Sequence, residues 1–311
     1  MMPVMLFAYL NYEGTKNRLI ELQKSGFKEI YVFLDGYAQT DDKYEQDQRL
    51  NLVNFLNDCK TEGKILGLDQ SRENLGVGNA VPYALDWFFS NFGIGLILED
   101  DCRLIQFTKE KDNIFKKVLS NNPNTIICLS TPKFINTNSH NSHTMDLIET
   151  SFFSSWGWIC DRPTWQINRV RNISLIEVIS AVFKIKKISV WRKVLLLVSW
   201  SDIWRKLRKN QNKLWAFRFT VLLILSQTKI LFPKFKVIQH EPSRSGTNVK
   251  FQPVWDQPNE WSYKQEFLGD KFNVQTSFEL ADYQAIHTHG ANLISLFKRS
   301  TYAIAKLIHI K

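Results

Sequence analysis

An α/β fold with an open, mostly parallel sheet and helices on both faces is what this 311-residue sequence predicts. Short apolar runs alternate with amphipathic stretches through the first third of the chain. Polar residues collect where those runs end, which is where ligands bind in such sheets. A composition of 44% hydrophobic and 23% charged residues belongs to a globular chain.

Val4–Tyr9 reads as a buried first strand. Gly14–Ser25 has helical spacing, with Leu19, Ile20 and Leu22 apolar and Gly26 as a stop. "IYVFL" (Ile30–Leu34) is a second strand that runs into Asp35–Gly36. Asp41–Cys59 reads as a helix turning Leu50, Val53, Phe55 and Leu56 inward. Lys64–Leu68 is a third strand. Gly78–Phe92 is a third helix, with Pro82 in about its first turn, where proline is tolerated. Ile94–Leu98 is a fourth strand, and Thr125–Leu129 a further one.

The fourth strand drives apolar residues straight into Glu99, Asp100 and Asp101. Neighbouring acids repel, and a shared cation is the plainest reason to tolerate them. Mg²⁺ and Mn²⁺ need only one or two protein carboxylates, with phosphate and water completing the shell. Asp101 lies just beyond the strand and is the best metal ligand. Glu99 and Asp100 point to opposite faces, one toward a sugar or ribose hydroxyl. The plain alternative is an acidic strand end satisfied by nearby Lys or Arg. Asp35–Gly36 likewise reads as a simple turn, Asn74–Gly78 as a helix cap and Arg72 as a surface charge.

Cys59, Cys102, Cys128 and Cys160 form no CxxC pair and read as buried free thiols. The start, "MMPVMLFAYL", is apolar over too few residues for a signal-peptide core, and no apolar run reaches the ~18 residues of a membrane span. The expectation is a cytoplasmic protein. Net charge is +10, yet residues 184–236 hold 14 Lys or Arg and one acid, Asp202. A slightly acidic body thus carries one strongly basic module.

Several stretches, in order, resemble glycosyltransferases of the GT-A fold, in particular bacterial family-2-like transferases and, distantly, N-acetylglucosaminyltransferase I. They are "PVMLFAYLNYEGTKNRLIEL", "YVFLDG", "SRENLGVGNAVPYALDWFF", "LILEDDCRL", "SSWGWICDRPTW", "LWAFRF" and "SRSGTN". The resemblance implies a nucleotide-sugar donor, a UDP-sugar by preference, and a glycan acceptor in bacterial surface polysaccharide synthesis. It implies that Asp101, in a DxD-type motif, holds Mn²⁺ or Mg²⁺, with Glu99 beside it and Asp100 near the ribose. Asp35 would read the base edge, and Ala8, Tyr9 and Asn11 would line the nucleotide pocket. Arg72, Asn74 and Gly78 would approach the donor sugar or diphosphate. The apolar pattern loosens after Leu104, and together with the charge distribution this divides the chain into a nucleotide-sugar-binding half (1–150), a smaller mixed acceptor half (151–290) with the basic insert 184–236, and a basic tail (291–311).

In the second half, Trp156, Gly157 and Trp158 with Trp215 and Arg218 form a candidate sugar or acceptor pocket, because aromatic faces stack on sugars. An aromatic core strand is the other reading. "HEPSRSGTN" offers Ser243 and Arg244 to a diphosphate as a lid, or is an ordinary exposed loop. Relatives often place a catalytic Asp after the tryptophan of "LWAFRF", whereas Trp215 here is followed by Ala216. An inverting transfer needs a base, which leaves Asp161, Glu241 or Asp202, or else a catalytically silent nucleotide-sugar-binding or scaffold subunit. In the basic insert, Val190, Val194, Leu197, Trp200, Trp204 and Leu207 make an apolar stripe with basic ends. That is the pattern of a helix on an anionic membrane surface, here the inner face of the plasma membrane, with a lipid-linked acceptor within reach. A helix docked on the core is the alternative. Nucleic acid is not expected, since its sites need less apolar surface.

Overall fold

The computed structural model describes residues 1–37, 42–105, 107–130, 144–186, 188–208, 214–235, 237–241, 271–276 and 284–285. In chain order the elements are β1 (Val4–Ala8), α1 (Tyr12–Lys24), β2 (Ile30–Leu34), α2 (Lys43–Thr61), β3 (Gly67–Gln70), α3 (Val77–Asn91), β4 (Ile94–Glu99) and β5 (Cys102–Leu104). Next come α4 (Lys109–Asn121), β6 (Thr125–Cys128), β7 (Thr144–Thr150), β8 (Trp158–Asp161) and α5 (Arg162–Asn168). The last are α6 (Leu175–Lys184), α7 (Val190–Leu207), α8 (Trp215–Leu225), β9 (Lys229–Pro233), β10 (Ile238–His240) and β11 (Lys271–Thr276).

Nine strands form one sheet in the order β11-β7-β9-β6-β8-β4-β1-β2-β3, and β10 pairs with β5 in a two-stranded sheet. The larger sheet is mostly parallel, with β8 antiparallel to both its neighbours and β7 antiparallel to β9. It runs without a break past residue 150, since β8 sits between β4 and β6.

Alternation along the strands explains the two layers of helices. Val4, Leu6 and Ala8 of β1 face one core with Leu19, Leu22, Leu52, Leu56 and Phe115 of α1, α2 and α4. Met5, between them, faces the other core with Ala84, Phe88, Trp165 and Phe219 of α3, α5 and α8. A third cluster joins α6, α7 and α8. All four cysteines are buried free thiols.

Local expectations shift in four places. Leu50 is exposed, because α2 turns Leu52, Leu56 and Cys59 inward and Leu50 falls outside that arc. Ile20 is likewise exposed on α1. β3 starts later than expected, because the N–H groups of Lys64 and Ile65 return to the Cys59 carbonyl and finish α2. Pro82 lies well inside α3 rather than in its first turn.

That proline has a consequence across the molecule. It has no N–H for the Gly78 carbonyl four residues earlier. The buried Arg218 guanidinium, on α8, donates to that carbonyl at 2.8 Å. The helix break is thereby satisfied from a neighbouring helix. Arg218→Met should cost about 1–3 kcal/mol through the unpaired buried carbonyl. The loss should shrink in a Pro82→Ala background, where residue 82 regains its N–H; a double-mutant cycle by chemical denaturation measures the coupling.

Candidate functional site

Register decides what shares the sheet edge. β1 runs parallel to β2, with Ala8 opposite Leu34, and parallel to β4, with Phe7 opposite Glu99. The residues after each strand therefore emerge side by side: Tyr9 after β1, Asp35 after β2, Asp100 and Asp101 after β4.

Asp35 is buried, and its Oδ1 accepts from the Gly36 and Leu75 N–H groups at 2.8 and 3.0 Å. Burial still outweighs these backbone donors and raises its carboxyl above the usual range. Gly36 is required here, since a Cβ would stand 2.0 Å from the Glu73 carbonyl carbon. Asn74 in the same turn donates from Nδ2 to the Tyr9 hydroxyl at 2.9 Å and accepts the Gly76 N–H. Arg72 is exposed on this turn. Gly78 is buried, with its carbonyl bound to Arg218.

Asn11 caps α1, its Oδ1 accepting from the Gly14 N–H. The Asn11 amide, the Tyr9 N–H and the Thr15 hydroxyl (3.4 Å) all bond to the Asp100 carboxylate. They do not offset its burial and the charge of Asp101, so Asp100 is pushed up to about 7. Glu99 is raised well above the ordinary glutamate value by burial first, then by Asp101 and Asp100.

Asp101 keeps partial exposure, and its Oδ2 lies 3.0 Å from Nε2 of the buried His240. The His240 ring packs against Trp156, centroids 4.9 Å apart. The strand pair places it there: His240 stands opposite Cys102, and the Glu241 N–H donates to the Asp101 carbonyl at 2.7 Å. The Glu241 carboxylate pairs with the buried Arg18 at 3.0 Å and with Arg103 at 3.3 Å. His240, Arg18, Arg103 and Thr15 were not legible as site residues. His240 was read as the start of a loop, and only its strand pairing with β5 brings it to Asp101.

Several expected site residues lie elsewhere. Asp161 pairs with Ile94 at the opposite end of β4, about 16 Å of strand from Glu99. There it caps α5 by accepting from the Thr164 N–H, so it is too far from the acid cluster to act as a base on it. Asp202 sits on α7, paired with Lys206 at 2.8 Å and with Arg205. Trp158 and Trp215 are core residues rather than pocket walls, buried around Phe153 and Phe219. Gly157 has φ of +67°, and a Cβ there would meet the Ile238 side chain rather than open space. Arg218 serves the Pro82 break. Of the aromatic stretch, only Trp156 reaches the acid cluster, through His240. Ser243 and Arg244 lie outside the described residues.

Asp101 and His240 could hold a cation together, and a carboxylate oxygen with an imidazole nitrogen suits Mn²⁺. Among the described residues no group of three or more His, Cys, Asp or Glu side chains forms a full metal cage.

No protein-family model and no curated protein matches this sequence. Solved structures resemble it in part. TarS of S. aureus matches at 12% identity and a TM-score of 0.44, over 78% of this chain and 36% of that one. A cytidylyltransferase from Leptospira borgpetersenii matches at 12% and 0.33, over 55% of this chain and 65% of that one. A mannosyltransferase from Pyrobaculum calidifontis, solved with GDP-Man and Mn²⁺, matches at 15% and 0.33, over 53% and 45%. At these values the likeness carries no inference about activity.

The raised carboxyls set a pH dependence. Asp100 holds its proton up to about 7 in the folded chain against 3.8 ordinarily. Folding thus binds this proton more tightly than the unfolded chain does. Its contribution is complete below the unfolded value and is lost as pH rises toward 7, at up to about 1.4 kcal/mol per pH unit. Chemical denaturation of metal-free protein at pH 5 and pH 8 should show stability falling. Asp100→Asn should show a smaller fall, with Glu99 supplying the remainder.

Proposed function

We propose that the protein is a metal-dependent glycosyltransferase that moves a sugar from a nucleotide-sugar donor, a UDP-sugar by preference, to a glycan acceptor. The observation that carries this reading is the meeting of Glu99–Asp101 with Asp35, Tyr9 and Asn74 at one sheet edge. The ordered resemblance of the motifs to GT-A transferases supports it. The chemistry is hexosyl or N-acetylhexosaminyl transfer, and the setting is bacterial surface polysaccharide synthesis.

In this reading Asp101, with His240 behind it, holds Mn²⁺ or Mg²⁺, which neutralises the diphosphate leaving group. Asp35 fixes the Gly36 and Leu75 backbone and so shapes the pocket for the base. Asp100, braced by Asn11 and Thr15, faces the ribose. Of the three base candidates, Glu241 is the one beside the acid cluster, with Arg18 and Arg103 holding its carboxylate.

A second reading, a catalytically silent donor-binding subunit, draws on Ala216. The α8 N-terminus lies at the same sheet edge as the acids, because α8 precedes β9, which runs parallel to β6 and β4. An alanine thus stands where a base would be useful.

Thermal unfolding with UDP, GDP or CMP, with and without Mn²⁺, tests the donor site. Ligand at about 100 times its Kd adds about 2.7 kcal/mol to the native state. A metal-dependent rise in Tm with one nucleotide, absent in Asp101→Ala, is expected. No rise with any nucleotide would sink the donor site. Acceptor-dependent release of nucleoside diphosphate then separates the transferase from the silent subunit.

A further inference from the structure

The helix α7 is apolar on two opposite sides. Leu195, Leu196, Trp200 and Leu207 are buried in the cluster with α6 and α8. On the other side Val190, Trp191, Val194 and Val198 are exposed, Val190 at 79% and Trp191 at 58%. Their spacing of i, i+1, i+4 and i+8 makes one stripe along the helix. The expected stripe is therefore divided: Val190 and Val194 face solvent, Trp200 and Leu207 face the core, and Leu197 and Trp204 are half-buried.

Phe183, 62% exposed at the end of α6, lies beside the start of α7, since Lys193 Nζ donates to its carbonyl at 2.9 Å. Lys186, Arg205, Lys206 and Arg208, in the same basic segment, are exposed, while the Lys184 ammonium donates to the Leu225 carbonyl at the end of α8 at 3.0 Å. The acid of the module, Asp202, is neutralised by Arg205 and Lys206. No helix among the described residues is long and apolar enough to cross a membrane.

We infer that this face of α7, with Phe183, rests on an anionic phospholipid surface. Exposed Trp, Phe and Val at one level, ringed by lysine and arginine, match both the apolar and the charged layer of such a surface. A second copy of the chain would bring two strongly basic modules together, and nucleic acid would leave the apolar stripe in water. The inference does not rest on the glycosyl-transfer reading, because lipid binding needs no donor.

Co-sedimentation of the full chain with vesicles tests it. Binding to phosphatidylcholine vesicles containing about a third phosphatidylglycerol is expected. It should be weak on pure phosphatidylcholine and should decline with salt. Trp191→Glu with Val194→Glu should weaken it at least tenfold while leaving the melting temperature unchanged, since both side chains are exposed. Lys186→Glu with Arg208→Glu, a second variant, should reduce the preference for anionic lipid. The inference is overturned if wild type fails to pellet with anionic vesicles at low salt, or if both variants pellet as well as wild type. It is also overturned if analytical ultracentrifugation shows a dimer broken by Trp191→Glu and no vesicle binding, which would make a second copy the occupant.

Discussion

The parallel pairing of β1 with both β2 and β4 is the constraint on which the rest depends. Three strands that run the same way must finish on the same side, and each is followed by polar residues. The crossovers between them must be helices lying on the sheet faces. The alternation of Val4, Leu6 and Ala8 with Met5 then assigns each face its own helices. The β1–β4 region is therefore both the centre of the core and the foundation of the polar edge.

That edge is electrostatically expensive. Three carboxylates in sequence cannot all be charged at no cost, and the raised proton affinities of Glu99 and Asp100 express it. The surroundings limit the cost without removing it. Asn11, Thr15 and a backbone N–H brace Asp100, His240 braces Asp101, and Arg18 and Arg103 balance Glu241. A sequence selected for stability alone would not keep this grouping, and departures from local economy of this kind gather at functional sites.

The first half of the fold was legible because its signals are local. Apolar runs of strand length, caps and helical spacing lie close in sequence, and Ile30–Leu34 matches its strand end to end. The acids and Asp35 were legible for the same reason: each directly follows a strand. The second half was less so. Trp158 and Trp215 read equally as sugar platforms or core, and only three-dimensional packing chooses core. Asp161 carries no sign in the sequence that β8 runs antiparallel to β4 and delivers it to the far edge. His240 becomes part of the acid cluster through a pairing with β5 that no local pattern announces.

The short β5–β10 sheet has a consequence for the order of assembly. It ties Asp101 to a histidine 139 residues later in the chain. During synthesis from the N-terminus, β1 to β4 can pair while the acidic edge still lacks the imidazole behind it. Closing so long a loop is slow relative to the local contacts that precede it. The acidic centre is thus completed only after its strands β1 to β4 have been made, and a molecule truncated before residue 240 would keep the carboxylates while losing the partner that orients the last of them.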